Sequence, residues 1–82
     1  MIGDVLSTDV RPGDMVKLVK QEYASIWEVN IDYAMGRNQV IQARRGEWGL
    51  VLNMDPNLNG FYILFKGKMG WVTKYNWLRV IL

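Results

Sequence analysis

The 82 residues, half of them apolar and including four Trp, four Tyr and two Phe, carry a net charge of only +2. That length makes one domain, which buries roughly 60% of its unfolded surface, so the core is thin and part of this apolar content is expected to face a partner. The absence of Cys and His excludes disulfide frameworks and zinc knuckles and counts against catalysis.

Residues 1–10, MIGDVLSTDV, follow neither a period of 2 nor one of 3.6 and read as an arm. Its Ile2, Val5 and Leu6 are suited to tuck against the domain or a neighbouring subunit. No basic region followed by a long apolar run opens the chain, and no stretch reaches the roughly 20 apolar residues of a membrane helix. The expectation is a protein of the cell interior or of a virion, without a signal peptide and without a membrane partner.

Pro12-Gly13-Asp14 is turn chemistry. It launches a strand over Met15–Lys20, with Val16 and Leu18 inward and Lys17 outward. Residues 21–47 then read as a long hairpin. In IWEVNIDY the apolar Trp27, Val29, Ile31 and Tyr33 alternate with Glu28, Asn30 and Asp32, which gives an extended segment one apolar and one polar face. Tyr23, Ile26, Trp27, Ile31 and Ala34 also fit helical spacing, but β-branched Val29 and Ile31 beside aromatics favour the strand. Met35-Gly36-Arg37-Asn38 reads as the turn and Gln39–Ala43 as the returning strand. Arg44 and Arg45 follow, close to Trp48. Arginine beside an aromatic suits a nucleic-acid backbone and base, while a solvated turn is the plainer reading.

From Trp48 onward almost no residue is spare. Asp55-Pro56-Asn57-Leu58-Asn59-Gly60 separates two apolar runs, and Asn-Gly favours a hairpin turn, so Gly49–Met54 and Phe61–Lys66 should pair antiparallel. After a short break at Lys66-Gly67-Lys68, Met69–Thr73 pairs back on Phe61–Phe65. Lys74–Trp77 fits one turn of 3₁₀ helix, and Leu78–Leu82 a closing strand. Period-2 alternation puts Gly49, Val51, Ile63, Phe65 and Val72 in the core, closed by Leu78 and Val80. Tyr62, Leu64, Trp71 and Trp48 fall on the opposite face. Tyr75 and Trp77 flank the closing turn, Trp77 either as a contact or as a plug at the end of the sheet.

Arg11-Pro12-Gly13-Asp14-Met15-Val16, Gly49-Leu50-Val51, the Phe61–Phe65 run and Gly70-Trp71-Val72 together resemble Src-homology-3-like barrels. Within that group they look most like the small stand-alone barrels encoded by tailed bacteriophages. The resemblance covers roughly residues 11–20 and 48–82. It implies an all-β barrel of about five strands over 11–82, with an enlarged first loop forming an extra hairpin over 21–47 and a short 3₁₀ turn before the last strand.

The charge is uneven: Pro56–Leu82 holds Lys66, Lys68, Lys74 and Arg79 and no acid. There is no Gly-rich phosphate loop and no carboxylate pair with acid–base spacing. Asp4, Asp9, Asp14, Glu22, Glu28 and Asp32 fit turns and solvated faces. No catalytic residue, cofactor or metal is expected. The leading expectation is a protein-binding or assembly module, a virion structural or accessory protein, that self-associates or docks through Trp27, Ile31, Tyr33, Tyr62, Leu64, Trp71, Tyr75 and Trp77. One alternative is a nucleic-acid-binding barrel of the KOW or Tudor kind using Arg44, Arg45, Trp48, Lys66, Lys68 and Lys74. A phage-encoded inhibitor of a host protein is the other.

Overall fold

The computed structural model describes residues 5–29 and 35–81. Among these residues there are eight strands: β1 (Val5–Ser7), β2 (Met15–Leu18), β3 (Tyr23–Val29), β4 (Met35–Arg44), β5 (Trp48–Asp55), β6 (Gly60–Phe65), β7 (Lys68–Thr73) and β8 (Trp77–Ile81). A single turn of 3₁₀ helix, Lys74–Asn76, separates the last two. All pairings are antiparallel, in one sheet of order β1-β8-β2-β5-β6-β7-β3-β4.

Among the described residues β1 and β4 end the sheet and do not pair with each other, so the expected closed barrel of about five strands is replaced by an open sheet of eight. The extra strands have identifiable sources. The arm contributes β1, whose Val5–Ser7 pair with Arg79–Ile81 of β8. The long hairpin contributes β3 and β4 and joins β7 through a single register pair, Trp27 with Trp71. Ile31 and Tyr33, expected on that hairpin, lie outside the described residues.

The meander forms where the turn residues place it. Lys66 and Gly67 both take positive φ, 49° and 77°, as the two central positions of a tight hairpin require. They set Phe65 opposite Lys68 and carry the register through Leu64–Met69, Tyr62–Trp71 and Phe61–Val72. In the longer β5–β6 connection Asn59 takes φ 53° immediately before Gly60.

One face of the curled sheet holds the core. Val16, Leu18, Ile26, Val51, Phe61, Ile63, Phe65, Val72 and Trp77 form one cluster, each at most 1% exposed. Val16, Leu18, Val51, Ile63, Phe65 and Val72 were legible as inward; Leu78 is only half-buried. Trp77 is the plug: β8 starts one residue earlier than expected, setting Trp77 opposite Leu18. Its ring stands edge-on to Phe65, with centroids 6.2 Å apart, a favourable aromatic geometry. Trp77 is thus corrected from a surface contact to a core residue.

The hairpin runs in register from Tyr23–Arg44 to Ile26–Ile41, then slips. Trp27 faces Gln39, which leaves Val40 as an extra residue in β4 and makes a β-bulge. Met35–Asn38, expected as the turn, belong to β4. At the hairpin base Arg44 N–H donates to Glu47 Oε1 at 2.7 Å, and Glu47 N–H donates to the Arg44 carbonyl at 3.0 Å. Arg45 N–H reaches the Glu22 carbonyl and Gly46 N–H the Leu18 carbonyl, both at 2.8 Å. This turn therefore fixes the hairpin to β2.

Candidate functional site

The outward face of β2, β5, β6 and β7 is built by register. Met15 pairs with Leu50, Leu50 with Leu64 and Leu64 with Met69, which draws one apolar row across four strands. Two residues along, Leu78 pairs with Lys17 and Lys17 with Trp48. Since side chains alternate along a strand, both rows share the face opposite Val16, Val51 and Ile63. Leu64 is 41% exposed, Met69 43% and Trp48 38%. Lys17 Nζ sits 5.7 Å from the Trp48 ring centroid, a cation–π contact that holds the indole on the sheet. Between the Val51–Ile63 and Asn53–Tyr62 pairs, Leu52 is a bulged extra residue. It is also exposed. The result is a continuous, solvent-facing apolar strip.

The same face changes character toward the β5–β6 connection. Tyr62, Trp71 and Trp27 form the next cross-strand row, but Tyr62 and Trp71 are buried and Trp27 is half-buried. The cause is Asp55, the buried charged residue among those described. Its Oδ2 accepts from Tyr62 Oη at 3.1 Å and from Trp71 Nε1 at 3.0 Å. Gly60 makes room for this, since a Cβ there would stand 2.2 Å from Trp71 Cζ2. Burial raises the Tyr62 phenol above its ordinary pKa of 10, with further upward contributions from the hydrogen bond to Asp55 and from its charge. Tyr62 and Trp71, expected as surface contacts, are instead the closed end of the strip. The sequence signal that was missed is Asp55, which reads as turn chemistry because Pro56 follows it.

Of the other expected contacts, Leu64 lies in the strip. Tyr75 is 58% exposed, but it stands on the 3₁₀ turn at the far end of β7. The expected nucleic-acid residues fall in separate places. Arg44 lies over the Tyr23 ring at 5.9 Å and lines, with Arg45 and Glu22, a hollow of about 170 Å³. Lys66 Nζ is engaged by Glu47 Oε2 at 2.6 Å. That ion pair, followed by the Arg44 N–H bond, holds the Glu47 carboxyl below its ordinary 4.5. The carboxylate of Glu47 thus stands between Arg44 and Lys66 and reduces their joint attraction for phosphate. Lys68 is exposed beside the β6–β7 turn and Trp48 lies in the apolar strip. Lys74 sits at the opposite end, 5.6 Å from the Tyr75 ring.

Among the described residues no group of three acidic, His or Cys side chains could hold a metal ion, and no helix is long and apolar enough to cross a membrane. No protein family's sequence profile matches the chain, and no curated protein or solved structure is detectably similar to it.

Proposed function

We propose that this chain is a non-enzymatic protein-binding or assembly module that works through the outward strip of Trp48, Leu50, Leu64 and Met69. The supporting observation is the in-register row Leu50–Leu64–Met69, with Leu64 and Met69 more than two-fifths exposed. A row of large apolar side chains on the solvent face of a small sheet costs solubility unless something covers it. The sheet order β8-β2-β5-β6-β7, with the β3–β4 hairpin inserted in the chain between β2 and β5 and the 3₁₀ turn before β8, supports reading the sheet as an opened Src-homology-3-like barrel. A place in a virion, or on a host protein, rests on the sequence resemblance.

The test is mass by light scattering over a dilution series, for the wild type beside a Leu64→Ser, Met69→Ser double variant, with capture of partners from a host lysate. The reading expects the wild type to associate or to capture a partner through this face, and the folded double variant to do neither. A wild type that stays monomeric and captures nothing, or a variant that behaves like it, overturns the proposal.

A further inference from the structure

A second surface lies at the opposite end of β6 and β7 from Leu64 and Met69. There the segment between β1 and β2, the end of β5 and the 3₁₀ turn enclose a groove of about 400 Å³. This is within the size range of pockets that take small ligands. Its floor is apolar, supplied by Met54, Phe61 and Leu78, and Tyr75 stands exposed at its side.

The charges around it have one sign in effect. Lys20 and Lys74 line the groove from two different loops. The backbone N–H groups of Val19 and Lys20 both donate to the Asn76 carbonyl, at 3.0 and 3.4 Å, so the Lys20 loop is fixed against the turn that carries Lys74 and Tyr75. Among the described residues Asp9 is the one acid that lines the groove, and Arg11 pairs with it at 3.4 Å. An apolar floor under two lysines selects a ligand in which apolar and anionic groups alternate. An extended peptide with acidic side chains beside aliphatic ones has that pattern, its successive side chains pointing to opposite sides. Tyr75 adds a flat contact with little rotamer entropy to lose.

We propose that this groove is a docking site for a short acidic peptide segment of another protein, with an aliphatic side chain seated on Met54 and Leu78 and carboxylates meeting Lys20 and Lys74. None of Trp48, Leu50, Leu64 and Met69 lines this groove; Leu78, at the end of the second outward row, is where the two surfaces approach each other.

The test is an NMR titration of the full chain with the capped peptide Gly-Glu-Leu-Glu-Leu-Gly and its counterpart Gly-Lys-Leu-Lys-Leu-Gly. The acidic peptide is expected to shift the amides of Val10, Lys20, Tyr75 and Leu78, and to weaken as salt is raised. A Lys20→Glu, Lys74→Glu variant should weaken it by about tenfold or more, while Leu64→Ser should leave it unchanged. Because the wild-type titration locates the site without a variant, a misfolded double mutant does not decide the matter. Absence of shifts up to about 1 mM peptide, shifts elsewhere, or equal binding of the lysine peptide overturns the proposal. So does an oligothymidine that shifts the same amides more strongly, which would make the groove a phosphate site. Concentration-dependent shifts of those amides without peptide would assign the groove to a second copy of the chain, and would equally overturn it.

Discussion

The indole Nε1 of Trp71 donates to Asp55 Oδ2 across 3.0 Å, although the two residues lie 16 apart in sequence. Tyr62 donates to the same oxygen. Two neighbouring strands are thus joined through a carboxylate at the end of a third. Replacing Asp55 with Ala leaves both donors without their acceptor in a buried site and should cost about 2–4 kcal/mol. Asp55→Asn keeps a carbonyl oxygen and should cost less. Urea unfolding of the two variants measures this; equal, small losses would show that the carboxylate does not organise the row.

The burial of Tyr62, with its bond to Asp55 second, gives an alkaline limit. Because the Tyr62 pKa is raised in the folded chain, the folded state resists losing that proton. Its contribution is therefore complete below the unfolded tyrosine value of about 10 and is lost as pH rises through the folded value. Thermal melts between neutral pH and about pH 11.5 should show this decline, and Tyr62→Phe should flatten it.

Glu47 acts in the opposite direction. Its folded pKa is lowered, so its stabilisation is present above the ordinary 4.5 and fades as pH falls through the folded value. The pair with Lys66 is partly exposed, at 27% for Glu47 and 55% for Lys66, so Glu47→Gln should cost no more than about 1 kcal/mol at neutral pH. The acid limb of its stability profile should be flatter than that of the wild type, and a parallel limb would contradict this.

Gly60→Ala places a methyl group 2.2 Å from the Trp71 ring and 2.5 Å from the Val72 carbonyl. Overpacking of this kind should cost about 1–3 kcal/mol and disturb the Trp71–Asp55 bond, readable as a change in indole fluorescence. Leu58→Ala, at an exposed position of the same connection, should stay within about 0.5 kcal/mol of the wild type.

Trp77 Nε1 is buried without a hydrogen-bond partner. Trp77→Phe removes that unmet donor along with some volume, so its cost should be well below the roughly 3–5 kcal/mol of Trp77→Ala. Denaturant midpoints of the two variants separate packing from polarity.

Local chemistry made much of this architecture readable. Val16 and Leu18 alternate with Lys17, Ile63 and Phe65 alternate with Leu64, and Asn59-Gly60 and Lys66-Gly67 punctuate the meander, so strands and turns followed from residue type alone. The outward position of Leu64 was legible for the same reason. What escaped depends on distant partners. Tyr62 and Trp71 alternate as surface residues should, and only Asp55, brought beside them by the β5–β6 hairpin, turns them into a buried row. The slip at Val40 is a property of the β3–β4 pairing and has no signature in either strand. Trp77 could face either way until its register with Leu18 decided it. Openness of the sheet was hidden because Val5–Ser7, too short to show a period, adds a strand beyond β8.

An open sheet exposes a ladder that other molecules can extend, and the β4 side meets this with Glu47. Arg45 bonds back to Glu22, so its neighbour Arg44 turns its own N–H and carbonyl away from β3. Both of those groups are already taken by Glu47, while the Val40 bulge puts the next stretch out of step. A strand arriving from another copy finds the Arg44 position taken and the register broken at Val40. This end of β4 is thereby a poor template for strand addition.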